Sequence, residues 1–241
     1  MSYTIFGIKI DNLTKVEAIE YAKDFLSEDS FHYIVTLNPE GVVIAQKYKD
    51  FKDVVNQADL VVPDGSWLIK VSNFVDKKLK ERIAGIDLLE DLLEFCTKKN
   101  ISAYLLGAKE EVISRAKNAL ETIFPGINIV GFHNGYFDDE EEEKIVEEIK
   151  RLKPWFLVVG LGMPKQEIWI SSHRNLPVRL AIGVGGSFDV LSGIIPRAPR
   201  WMQSIGMEWF YRVVRDPKRA KRLLFIPKFF LLVLKTKLGI I

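Results

Sequence analysis

The feature that most constrains this chain is an alternation. Short β-branched or apolar runs, several ending in glycine or polar residues, are each followed by a helical pattern. FHYIVTLN precedes PEGVVIAQKY, ADLVVPD precedes GSWLIKVSNF, and SAYLLG precedes the segment from Lys109 to Ile123. NIVGFHNGYF then precedes DDEEEEKIVEEIKRL, WFLVVGLG precedes PKQEIWISSH, and VRLAIGVGG closes the series. Such alternation implies βαβ units and a mostly parallel sheet with helices on both faces, a Rossmann-like α/β fold. Ligands of such sheets bind beyond the carboxyl ends of the strands. Chemistry is therefore expected at TLNPE, VVPDG, GLGMPKQE and GVGGSFD.

Composition narrows the class. A chain of 241 residues, 48% hydrophobic and 27% charged, is an ordinary globular sequence long enough to bury a substantial core. The single cysteine, Cys96, lies in the apolar pattern IDLLEDLLEFC and reads as a buried thiol, without a disulfide framework. His32, His133 and His173 are far apart in sequence, with no cysteine companions, so no metal site is expected from them. The acidic run from Asp138 to Glu143 follows a strand and opens a helix, where carboxylates suit the positive end of the dipole. MSYTIFGIKIDN lacks a basic region followed by an apolar stretch, which sets the expectation of a cytoplasmic protein.

The net charge of +2 conceals an asymmetry. From Arg197 onward eleven Lys and Arg face only Glu208 and Asp216, a local +9 that leaves −7 on the rest. The sequence is accordingly expected to divide into an α/β domain, 1–195, that carries the strand-end motifs, and a basic amphipathic C-terminal appendage, 196–241. Pro217 and Pro227 divide the appendage into short helices. Its longest unbroken apolar run, Phe229 to Leu234, is far short of the ~20 residues a spanning helix needs. Arg212, Arg215, Arg219 and Arg222 are spaced 3, 4 and 3, so a helix carried through Pro217 would show one basic stripe. An anionic membrane surface is the expected partner, the dense Phe and Leu content favouring lipid over nucleic acid. The alternative is a helix pair packed on the body or on a second subunit of a homo-oligomer.

Individual motifs leave the chemistry open. Gly160 and Gly162 begin a dinucleotide fingerprint, but Lys165 stands where its third glycine belongs, and no G-x-x-x-x-G-K-[ST] occurs. What remains is close backbone approach at small residues and an anion site at a helix N-terminus. Gln166 there offers an amide to a sugar or phosphate, or belongs to an ordinary tight turn. Asp64 either faces a cleft or caps the following helix. Thr36 and Asn38 share a strand face, and Arg82 suits a phosphate clamp or a surface ion pair.

Taken together the blocks say more. TLNPEGVVIAQK, ADLVVPDG, ERIAGIDLLEDL, YLLGAKEEV, HNGYFD, VGLGMPKQEIWI, IGVGGSFDVLSGIIPRAPRWMQ and GMEWFYRVVRDPKR resemble, in order, the WecG/TagA/CpsF family of glycosyltransferases. The resemblance implies inverting transfer of N-acetylmannosamine from a UDP donor to the 4-hydroxyl of a lipid-linked GlcNAc diphosphate, as in the TagA type that serves wall teichoic acid synthesis at the inner membrane face. It further implies Asp64 as general base, Thr36 and Asn38 as its support, and Arg82 and Gln166 as ligands of diphosphate or sugar. Donor-binding positions fall on Gly107, Gly135, Tyr136, Gly162, Pro164, Lys165, Gln166, Gly186 and Asp189. The four tail arginines are implied for the acceptor diphosphate. Many nucleotide-sugar transferases hold a divalent ion on an Asp-x-Asp pair, and this chain contains no such triplet, so activity without metal or other cofactor is expected. Ser66 and Trp67 after PDG, and Pro196 before Arg197, depart from the family pattern and leave the role of Trp67 open.

Overall fold

In the computed structural model, residues 2–204, 207–215 and 224–238 are described. A small antiparallel hairpin, β1 (Ser2–Ile5) and β2 (Ile8–Asp11), starts the chain. Phe6 and Gly7 form its turn with φ of 56° and 71°, the left-handed pair that a two-residue hairpin loop requires. The alternation SYTIFGIKI carried this signal, which the pattern of βαβ units obscured. Ile8 and Ile10 are fully buried, and Asp11 accepts from the Val61 backbone, which ties the hairpin to the central sheet.

The central sheet holds β3 (His32–Leu37), β4 (Leu60–Pro63), β5 (Ser102–Gly107), β6 (Asn128–His133), β7 (Phe156–Gly160) and β8 (Leu180–Gly183). Their order is β4-β3-β8-β7-β5-β6, and every pairing is parallel. These are the six strands that the alternation predicts. Successive residues of each strand point to opposite faces, so two cores form. Tyr33, Val35 and Leu37 enter one, with Leu157 and Val159. Ile34, Val158 and Ile182 enter the other, with Phe156 and Leu180.

Helices α2 (Pro39–Lys47), α3 (Lys49–Asn56) and α8 (Lys165–Ser172) supply Val42, Phe51 and Trp169 to the first core. Helices α1 (Lys15–Ser27), α5 (Gly85–Lys98), α6 (Glu110–Ile123) and α9 (Ser187–Leu191) supply Leu26, Leu92, Ile113 and Phe188 to the second. Both faces are thus covered, and Cys96 is fully buried, its thiol pushed up to about 12 by burial. Helix α1 begins with a capping box. Thr14 Oγ1 accepts from Glu17 N at 3.2 Å while Thr14 N donates to Glu17 Oε2 at 2.7 Å. Helices α4 (Ser66–Phe74) and α7 (Asp139–Leu152) complete the set up to residue 191. Asp138 caps α7 through Glu141 N, so the acidic run is a helix start, as the sequence suggests.

The last elements are α10 (Arg200–Ser204), α11 (Glu208–Arg215) and α12 (Phe225–Lys237). Helix α12 lies against α2, burying Phe229 and Val233, and Phe229 meets Phe6 edge-on with ring centroids 6.0 Å apart. On its outer side Leu231, Leu234 and Leu238 are exposed. Among the described residues no helix is long and apolar enough to cross a membrane. Of the four arginines of the expected basic stripe, Arg212 and Arg215 are in α11, and Arg219 and Arg222 lie outside the described residues.

Candidate active site

A cleft opens beyond the carboxyl ends of β4, β3 and β8, where Asp64, Thr36 and Gly185 meet. Asp64 follows the last residue of β4, its backbone N donating to Leu37 O at 2.7 Å. Gly65 then reverses the chain with φ of 116°, a conformation open to glycine, and becomes the N-cap of α4. The Asp64 side chain is therefore not the helix cap. Its Oδ2 accepts from Gly85 N at 3.3 Å, and its Oδ1 lies 3.6 Å from Arg82 Nη2. The cleft-facing reading of Asp64 holds.

Arg82 is the electrostatic centre of the cleft. Its Nη2 pairs with Glu208 Oε2 at 3.0 Å and its Nη1 donates to Gln203 O at 3.4 Å. Burial alone would lower its pKa; the neighbouring carboxylates of Asp64 and Glu208 outweigh that and raise it, so the guanidinium is a fixed cation. Glu208 comes from α11 and is buried. Sequence reading passed over it, although an acid isolated in so basic a segment was a signal of an internal partner.

Thr36 and Asn38 divide their tasks. Thr36 Oγ1 donates to Gly183 O at 3.0 Å and so joins β3 to β8 at the cleft floor. Asn38 leaves the strand and caps α2, its Oδ1 accepting from Gly41 N at 2.9 Å. Both line the cleft, but by different elements rather than by strand alternation.

Gln166 also lines the cleft, yet it is 2% exposed and its amide is engaged. Oε1 accepts from Gly162 N at 3.2 Å and Gly185 N at 2.9 Å, while Nε2 donates to Glu167 Oε1 at 2.7 Å. Gln166 thus bridges two glycine loops instead of extending freely toward a ligand. Glu167 is fully buried; burial, with the Glu40 carboxylate adding to it, pushes its carboxyl up to about 7 against the pull of the Gln166 hydrogen bond.

The remaining donor candidates distribute unevenly. Gly162 and Gly186 line the cleft. Gly107, at the end of β5, and Gly135, just past β6, pack together away from the cleft lining, with Gly135 N donating to Ala108 O at 2.8 Å. A Cβ on Gly107 would come 2.5 Å from the Gly160 carbonyl group, so this glycine permits strand closeness. The chain leaves β5 toward β6 and leaves β7 toward β8, in opposite directions, which makes their junction a topological switch point. Tyr136 is exposed beside it, and Lys165 Nζ sits 4.8 Å over the Phe137 ring. Pro164 precedes α8 through a cis Met163–Pro164 bond, and Asp189 belongs to α9; neither lines the cleft.

Trp67, unassigned by sequence, forms part of an apolar wall. Its ring meets Phe230 of α12 at 5.1 Å in edge geometry, and Phe225, Ile226 and Phe229 continue the wall. Arg215 folds over Tyr211 at 5.3 Å. The cleft is thus lined in part by polar and charged groups, Glu208 of the C-terminal segment among them, and in part by an aromatic wall where Trp67 of α4 meets residues of α12.

This geometry agrees with what the chain resembles. The family model described as Glycosyl transferase WecG/TagA/CpsF family matches residues 3–240. The N-acetylglucosaminyldiphosphoundecaprenol N-acetyl-beta-D-mannosaminyltransferase of Bacillus subtilis (strain 168) is 38% identical over 234 residues, covering 96% of this chain and 91% of that protein. The enzyme of the same name from Staphylococcus aureus (strain MW2) is 38% identical over 236 residues, covering 97% and 92%. A match across nearly the whole length places this chain in the WecG/TagA/CpsF family of glycosyl transferases.

Proposed function

We propose that this chain transfers N-acetylmannosamine from UDP to the 4-hydroxyl of GlcNAc on undecaprenyl diphosphate, with inversion to a β-1,4 linkage. The observation that carries the reading is the pairing, in one cleft, of a carboxylate aimed at a fixed cation: Asp64 and Arg82, 3.6 Å apart at their nearest charged atoms. A direct displacement needs a base for the incoming hydroxyl and a cation for the departing diphosphate. Asp64 takes the hydroxyl proton as its oxygen attacks the anomeric carbon. Arg82 and amides at helix starts take up the charge of the leaving UDP without a metal ion. The glycine junction of β5 and β7, with Tyr136 beside it, is assigned to the nucleotide.

The acceptor is a membrane lipid, and we assign residues 196–241 to hold the cleft at the cytoplasmic membrane face. The exposed leucines of α12 and the net +9 of this segment support that assignment. Each Lys or Arg near anionic lipid contributes on the order of 1 kcal/mol. The aromatic wall of Trp67, Phe229 and Phe230 would receive the apolar part of the acceptor.

Product analysis tests the assignment. Incubation with UDP-N-acetylmannosamine and a short-chain lipid-diphosphate GlcNAc acceptor is expected to give a β-1,4 disaccharide and free UDP. An α-linked product would refute inversion, and transfer only from another UDP-hexose, such as the uronic acid form, would refute the donor.

A further inference from the structure

We propose that Glu167 is a positioning residue: by fixing which way the Gln166 amide faces, it sets the backbone of the two glycine loops that form the floor of the cleft. The inference rests on the transferase reading only for its kinetic part. An amide side chain can point its oxygen or its nitrogen at a neighbour, and its choice is made by its partners. Here two backbone donors, Gly162 N and Gly185 N, claim the oxygen, and the buried Glu167 carboxylate claims the nitrogen at 2.7 Å. Both glycines adopt left-handed backbone, φ of 79° and 52°, conformations with broad alternatives for this residue. The Gln166 carbonyl is what joins them, across the gap between the β7 and β8 ends.

The sheet leaves room for this pair. A Cβ on Gly183, the last residue of β8, would lie 2.7 Å from Gln166 Nε2 and 3.2 Å from Glu167 Oε1. Thr36 holds the same Gly183 through its carbonyl. The chain of contacts runs from Glu167 to Gln166 to the glycine backbones, and Glu167 itself is fully buried and outside the cleft lining. Its second oxygen, Oε2, makes no hydrogen bond within the described residues, so a buried carboxyl is retained here with only one partner satisfied.

Two variants of similar size separate the roles. Glu167→Gln keeps an acceptor oxygen for Gln166 Nε2; Glu167→Met removes it. With the full chain labelled on glycine nitrogen, Glu167→Met is expected to shift or broaden the Gly162 and Gly185 amide resonances, and Glu167→Gln to leave them near their original positions. In steady-state transfer from UDP-N-acetylmannosamine, Glu167→Met is expected to lose up to about 10²-fold in kcat/KM, the scale of a small misplacement, and Glu167→Gln to recover most of it. A folded Glu167→Met protein with unchanged glycine amides and unchanged kcat/KM would overturn the proposal. So would a Glu167→Gln variant as impaired as Glu167→Met. If the wild-type protein shows no transfer, the transferase reading fails while the glycine resonances still decide the positioning role.

Discussion

Glu167→Gln also carries a stability prediction with a definite sign. In the unfolded chain a glutamate ionises near 4.5, whereas burial holds the folded carboxyl at about 7. Between these values the folded protein binds more protons than the unfolded one, so stability falls as pH rises through that window. Below 4.5 both states are protonated and nothing is lost; above 7 the full cost of the buried charge is present. A shift of this size corresponds to about 2 to 3 kcal/mol between pH 5 and pH 8, at roughly 1.36 kcal/mol for each unit. The group is fully buried, so solvent screening removes little of that cost.

Glutamine does not ionise and therefore lacks this term. Urea denaturation of both proteins at pH 5 and pH 8 isolates it, because the other titrating groups cancel in the variant-minus-wild-type difference. The variant is expected to gain about 2 to 3 kcal/mol on wild type between the two pH values. The Gln166 hydrogen bond favours the ionised carboxylate and Glu40 disfavours it, and both are included in that balance. A difference that stays within about 0.5 kcal/mol at both pH values, the size of an ordinary surface substitution, would show that Glu167 ionises in the fold as it does in water.

Other expectations test the cleft and its scaffold. Asp64→Asn is expected to reduce turnover by about 10²- to 10⁴-fold while leaving UDP affinity, measured by calorimetry, close to wild type; turnover above a tenth of wild type would remove Asp64 as the base. Gly107→Ala sets a Cβ 2.5 Å from the Gly160 carbonyl group at φ of 140°, and should lower stability in urea by about 2 kcal/mol or more. Activity is expected to survive EDTA; its loss, followed by recovery with magnesium or manganese, would refute metal-free transfer.

How much of this was legible in the sequence depended on whether a residue acts within its own segment. The six central strands were readable because each carries its apolar run and its polar end together. Asp64 was readable as a strand-end carboxylate; that it does not cap the helix that follows it was settled by Gly65, which takes the cap position of α4 with φ of 116°. Gln166 was found, but its task was not. Its partners Gly162 and Glu167 are near in sequence while Gly185 is 19 residues away, and only the sheet brings β7 and β8 side by side. Glu208 was missed, and the role of Trp67 left open, for the same reason. Glu208 meets Arg82 from 126 residues away, and Trp67 meets Phe230 across two helices. The N-terminal hairpin was not legible from its turn, because the two residues there are Phe6-Gly7, with a phenylalanine at positive φ where Asn or Asp is the usual signal.

Charge links the cleft to the C-terminal segment. Among the described lining residues the charged side chains are Glu40, Asp64, Arg82 and Glu208, three acids against one base. Within this set Arg82 faces Asp64 and Glu208. The sequence concentrates its positive charge in the C-terminal segment, with +9 from Arg197 onward against −7 before it. Arg215 stands on the same helix as Glu208, the residue that pairs with Arg82. Interactions of this kind between partly exposed groups weaken with salt, the screening length falling from about 10 Å at 0.1 M to about 3 Å at 1 M. The KM for the nucleotide sugar is therefore expected to rise several-fold over that range with kcat changing less. A KM indifferent to salt would mean that the diphosphate is held by the half-buried Arg82 and backbone amides alone, and that the basic segment serves the membrane rather than the substrate.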